Sequence, residues 1–149
     1  MENDNEENLS QEDIYNLLKY INDPEYPQTL EELNIISPES IECNYEKKTV
    51  TVTFTPTVPH CSMCMILGLS IISRLRQALP LKTKIFVKIY PGSHKDEESV
   101  NKQLADKERV AAAMENPRLG AVVRKCLVGA DKDNILEWAK LDHDILAGE

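Results

Sequence analysis

Nowhere does this chain carry an apolar run long enough to cross a bilayer. It has only four cysteines, at the irregular positions 43, 61, 64 and 126, and its start lacks the apolar segment of a secretory signal. Those absences exclude a disulfide scaffold and predict a reducing compartment, where thiols stay free or bind metal. There is no glycine-rich phosphate loop, no metalloprotease helix motif and no paired acid/base signature. No basic stripe is present of the kind that binding nucleic acid requires.

The acidity is concentrated at one end. Residues 1–39 hold eleven acids and one base, Lys19, for a net charge of −10, whereas residues 40–149 hold fourteen acids and sixteen bases, for a net charge of +2. Most of the chain is therefore nearly neutral, and 149 residues suffice for one domain with a real core. Residues 1–10 read as an acidic, disordered tail. Ser10 caps a helix over 11–21, with Asp13 as its capping-box partner and Ile14, Leu17, Leu18 and Ile21 at helical spacing. Asp23-Pro24-Glu25-Tyr26-Pro27 ends that helix. Thr29 and Glu32 then frame one capped turn.

Two runs at period two follow. Ile41, Cys43 and Tyr45 share one face of the first. Val50, Val52 and Phe54 share one face of the second, with Thr49, Thr51, Thr53 and Thr55 opposite as a solvent-facing surface. Glu46-Lys47-Lys48 makes the hairpin turn between them, and Cys43 reads as a buried strand residue. Ser62 to Leu79 is the longest apolar segment and predicts a central helix, with Gly68 allowing close approach of a neighbour and Arg74, Arg76 and Gln77 marking an exposed end. Lys82 to Tyr90 alternates again and gives a third strand, parallel to the second through a crossover helix. Glu97 to Glu115 reads as one long helix, and Asn116-Pro117 opens a shorter one that carries Cys126 on its apolar face and is closed by Gly129. Asp133 to Ala147 predicts a last amphipathic helix, with Ile135, Trp138, Leu141 and Ile145 along one side that either packs on the domain or engages a partner, packing being the favoured reading. The expected fold is α+β: a compact single domain whose small three-stranded mixed sheet, a hairpin plus one strand after a βαβ crossover, is packed with helices.

The chemistry centres on Phe54 to Cys64, where a strand runs through a turn with two prolines into the apolar helix. The first N–H groups of a helix are unpaired, and with the helix dipole they favour negative charge. A cysteine held there, Cys61, should be shifted toward thiolate, the form that attacks electrophiles and binds metal. Cys61-Ser62-Met63-Cys64 admits three readings. A structural zinc site needs four ligands, and Cys43, Cys126, His94 and His143 are too scattered to complete one. A thioredoxin-like redox pair matches the placement but not the flanking residues. The third reading is one functional thiol, Cys61, with Cys64 as an accessory thiol one turn inside the helix. His60 is a turn residue or a ligand beside Cys61 rather than its base, since adjacent side chains diverge.

Three blocks carry a resemblance: Asp23-Pro24-Glu25 with Pro27 and Thr29 to Leu33; Phe54 to Ser62; and Asn101 to Ala113. Together, over residues 11–128, they resemble the small subunit of the eukaryotic cytosolic iron–sulfur assembly targeting complex, whose domain is shared with the bacterial iron–sulfur maturation protein SufT and the phenylacetate-degradation protein PaaD. The resemblance implies a non-enzymatic adaptor, cytoplasmic and also nuclear, linked to chromosome segregation. Its implied partners are a WD40-propeller subunit, a HEAT-repeat scaffold, apo iron–sulfur client proteins and a second copy of itself, with neither nucleic acid nor membrane among them. It implies no stably bound cofactor, with an iron–sulfur cluster or zinc held only transiently at Cys61. The family's functional thiol maps to Cys61, and Asp23, Glu25, Thr57 and His60 map to positions lining the site. Cys64 and Met65 depart from the family's usual small or polar residues. Residues 129–149 form an extension beyond the usual end.

Overall fold

The structure is a computed structural model and describes residues 10–44, 46–57, 61–80 and 82–128, the side chains of Cys61 and Ser62 excepted. Helix α1 spans Gln11–Leu18, strand β1 Ile41–Asn44 and strand β2 Thr49–Phe54. Helix α2 spans Cys61–Ala78 and strand β3 Lys84–Ile89. Helices α3 (Glu97–Ala105), α4 (Lys107–Glu115) and α5 (Pro117–Leu127) complete the order. The sheet runs β1-β2-β3, with β1 antiparallel to β2 and β2 parallel to β3. This is the expected α+β architecture, a hairpin followed by a crossover helix and a third strand. The tail at 1–9, Gly129 and the extension at 129–149 with its amphipathic helix, Tyr45 and the turn residues 58–60 lie outside the described residues.

Alternation explains the sheet. Ile41 faces Val52, and Cys43 faces Val50, so the inward positions of the hairpin lie in register. Val50, Val52 and Phe54 are buried while the threonines between them are half-buried. On β3, Val87 and Ile89 are buried and Phe86, on the other face, is exposed. Helix α2 covers the inner face. It is apolar almost all round because it is enclosed, packing against β3, α1, α3 and α5. The side-chain amides of two helices terminate the sheet edges: Gln11 donates to the Ile41 carbonyl, and the Ile89 N–H donates to Asn101 Oδ1 at 2.8 Å.

Local signals placed the caps. Ser10 and Asp13 form the capping box of α1, Thr29 and Glu32 frame a capped turn, and Asn116 caps α5 with Pro117 at its first position.

Four expectations change. Helix α1 stops at Leu18 rather than 21, because the chain turns at Lys19 to bring Ile21 against Leu30, where the Leu30 N–H donates to the Ile21 carbonyl at 2.9 Å. The expected helix over 97–115 is two helices, because Asp106 is extended (φ −87°, ψ 107°) and its side chain caps α4. Arg74 is buried rather than exposed; its Nε donates to the Leu17 carbonyl at 3.0 Å, at the end of α1 where carbonyls lack helical partners. Cys43 is half-buried on the short outer strand rather than enclosed.

Candidate functional site

The acidic turn is built by one side chain. Asp23 Oδ2 accepts hydrogen bonds from the N–H groups of Glu25 and Tyr26, both at 2.8 Å. This is the short aspartate loop that lets the backbone turn without a helix. The Asp23 N–H donates to the Gln28 carbonyl at 2.8 Å, and Asn22 bridges Thr29. Asp23 is thereby drawn inside, at 6% exposure, while Glu25 and Tyr26 face solvent. The two acids of this motif therefore differ in role: Asp23 shapes the turn from within and Glu25 presents its charge outside.

The other carboxylate oxygen of Asp23, Oδ1, is buried and has no hydrogen-bond partner. Such a group costs free energy unless something satisfies it. The turn is tied to α5 through the Asn22 N–H, which donates to the Cys126 carbonyl at 2.8 Å. The Cys126 side chain is buried and hydrogen-bonds Ser70, whose hydroxyl also donates to the Ile66 carbonyl at 2.8 Å. Burial pushes the Cys126 thiol above its ordinary range and the charge of Asp23 adds to this, while Ser70 and Lys125 oppose it. Burial and then Asp13 raise the Cys43 thiol in the same sense.

At the other junction, β2 ends at Phe54 and α2 begins at Cys61, as the apolar pattern predicted. The Thr55 N–H donates to the Ile35 carbonyl at 2.8 Å, Pro56 is buried and Thr57 is exposed. Cys64 sits one turn inside α2 with 0% exposure and packs in the main core. His60 and the Cys61 side chain lie outside the described residues. Asp23 and Cys126 were not paired in the sequence reading. The one readable hint was Ser70, a hydroxyl inside the longest apolar run.

The site sits in a three-stranded α+β module with a cysteine opening its central helix, and among the described residues no helix is long and apolar enough to cross a membrane. A family model described as "Iron-sulfur cluster assembly protein" matches residues 11–88. The chain is 51% identical over 121 residues to "Cytosolic iron-sulfur assembly component 2B" of Mus musculus, covering 81% of this chain and 74% of that protein. It is 47% identical over 129 residues to "MIP18 family protein galla-2" of Drosophila melanogaster, covering 84% and 83%. It is 48% identical over 121 residues to "Protein AE7" of Arabidopsis thaliana, covering 81% and 77%. The chain belongs to the iron–sulfur cluster assembly protein family.

Proposed function

We propose that the protein is a component of cytosolic iron–sulfur assembly that acts as a non-enzymatic adaptor, passing clusters to apo-proteins through Cys61. The supporting observation is positional: Cys61 is the first residue of the 18-residue helix α2, seven residues after β2 ends at Phe54. Unpaired N–H groups and the helix dipole there favour a thiolate. The names of the cytosolic assembly relatives supply the cargo. On this reading the cluster, or zinc, contacts Cys61 only in passing, and the exposed Glu25 and Thr57, with His60 and the Asp23 turn, shape the approach. A WD40-propeller subunit, a HEAT-repeat scaffold, client apo-proteins and a second copy are the partners in this reading, which extends to the nucleus.

The test is affinity purification of the full chain from its native cytosol, followed by mass spectrometry. Propeller and helical-repeat subunits should co-purify, and client maturation should fail with Cys61→Ala. Full maturation by that variant removes the thiol from the mechanism; absence of both subunits removes the adaptor role.

A further inference from the structure

The Asp23–Cys126–Ser70 cluster does not depend on Cys61, and the reading above uses only the outer shape of the Asp23 turn. Its three side chains come from three separate elements: the acidic turn, α5 and α2. All are buried, at 6%, 3% and 0% exposure. One oxygen of Asp23 is spent on the turn. The other is enclosed without a hydrogen-bond partner, and the backbone next to it is tied to Cys126, whose carbonyl accepts from the Asn22 N–H at 2.8 Å. Two groups that become anionic, enclosed together with one polar hydroxyl and no compensating hydrogen bond on Oδ1, are what a cation satisfies.

We infer that Asp23 and Cys126 form the protein half of a second, exchangeable site for a thiophilic divalent cation, with the Ser70 hydroxyl beside it. Carboxylate oxygen and thiolate sulfur together suit zinc or ferrous iron rather than calcium or magnesium. Binding displaces the thiol proton: Cys126 S–H plus the divalent cation gives a metal–sulfur bond and one released proton, with no change of oxidation state. Among the described residues no three His, Cys, Asp or Glu side chains converge. The cluster therefore supplies only two anionic ligands, and water or an incoming ligand completes the shell. A shell so incomplete releases its ion readily, as a transient carrier site must. The turn from Asn22 to Gln28, which supplies Asp23, also carries the exposed Glu25 and Tyr26.

The probe is Co²⁺, added anaerobically to the reduced full-length chain, because a thiolate bound to cobalt gives a charge-transfer absorption. A stoichiometric band should appear, accompanied by release of one proton. It should survive Cys61→Ala, vanish with Cys126→Ser, and require at least tenfold more cobalt with Asp23→Asn. Competition by Zn²⁺ and by Fe²⁺, run separately, identifies which ion the site prefers. Asp23→Asn retains an oxygen for the turn and removes the unpaired charge, so without metal it should fold and melt no lower than wild type. That variant keeps the test decisive if Cys126→Ser fails to fold. A band that disappears with Cys61→Ala, one that Asp23→Asn leaves at wild-type affinity, or no band at all overturns the inference. Because the Cys61→Ala arm is read separately, a failed adaptor role and a failed cation site give different results.

Discussion

Gly68 and Leu104 pack so closely that a Cβ on the glycine would lie 2.6 Å from Leu104 Cδ1 and 2.7 Å from Cδ2. Helix α2 thus approaches α3 closely at the one position in its middle that carries no side chain. Gly68→Ala should gain up to about 1 kcal/mol of helix propensity. It should also lose about 1–3 kcal/mol by forcing the buried Leu104 aside. A net loss of about 1 kcal/mol is expected, with Gly68→Val losing more. Denaturant unfolding of both single variants and of Gly68→Ala combined with Leu104→Ala gives the coupling. Strict additivity would show that the two residues do not touch.

The sequence made the local features of this fold readable and hid the tertiary ones, for a physical reason. Caps, turns and alternation are set within a few residues, so Ser10 with Asp13, Thr29 with Glu32 and Asn116 with Pro117 announced themselves. The parallel pairing of β2 and β3 followed from the length of the helix between them. Arg74 read as exposed because an arginine near a helix end normally is. Its burial depends on the Leu17 carbonyl, a partner fifty-seven residues away. The pairing of the Asp23 turn with Cys126 likewise spans about a hundred residues and leaves no periodic trace. Of the candidate site, the Asp23 turn and the strand-to-helix junction at Cys61 were legible; the split between a buried Asp23 and an exposed Glu25 was not.

The break between α3 and α4 rests on Asp106, whose Oδ1 accepts from the N–H groups of Glu108 at 3.0 Å and Arg109 at 3.2 Å. Asp106→Ala removes the cap and should cost about 1 kcal/mol, whereas Asp106→Asn and Asp106→Ser keep an acceptor and should cost a few tenths. Thermal unfolding of the three variants checks this. An alanine variant as stable as the asparagine one would mean that the two helices simply merge, as the residue pattern over 97–115 had suggested.

Alkaline pH should weaken the fold through its buried and half-buried thiols. Burial, with Asp23 second among the causes that raise it, holds the Cys126 thiol above the ordinary value of 9.0, so the native state keeps its proton longer than the unfolded chain does. The unfolded state then binds fewer protons, and unfolding free energy falls as pH rises. The sign is the one for a raised pKa: the contribution is intact below 9.0 and is lost progressively above it. Cys43 contributes in the same direction. Urea unfolding measured from about pH 7 to 10 should therefore decline at its upper end. The decline should be shallower for Cys126→Ala, even though that variant is less stable at neutral pH. Parallel curves for the two proteins would remove Cys126 as the source.

Cys61 and Cys64 stand three residues apart, and the two variants should separate function from stability. Cys64 packs in the core at 0% exposure, so Cys64→Ala leaves a cavity and should cost about 1–2 kcal/mol. On the proposed reading its thiol takes no part in passing on a cluster, so client maturation should persist in cells kept below the temperature at which the weakened fold melts. Cys61 is the first residue of α2, and Cys61→Ala should change unfolding free energy by less than about 0.5 kcal/mol. On the proposed adaptor reading it should nevertheless abolish maturation, because a methyl group cannot take the part of a thiol. A redox pair predicts a different pattern: both variants would be equally inactive, and the wild type would show a defined two-electron potential. Client iron incorporation measured beside denaturant unfolding, for each variant at matched protein levels, distinguishes a donor thiol supported by a packing cysteine from two thiols working as one.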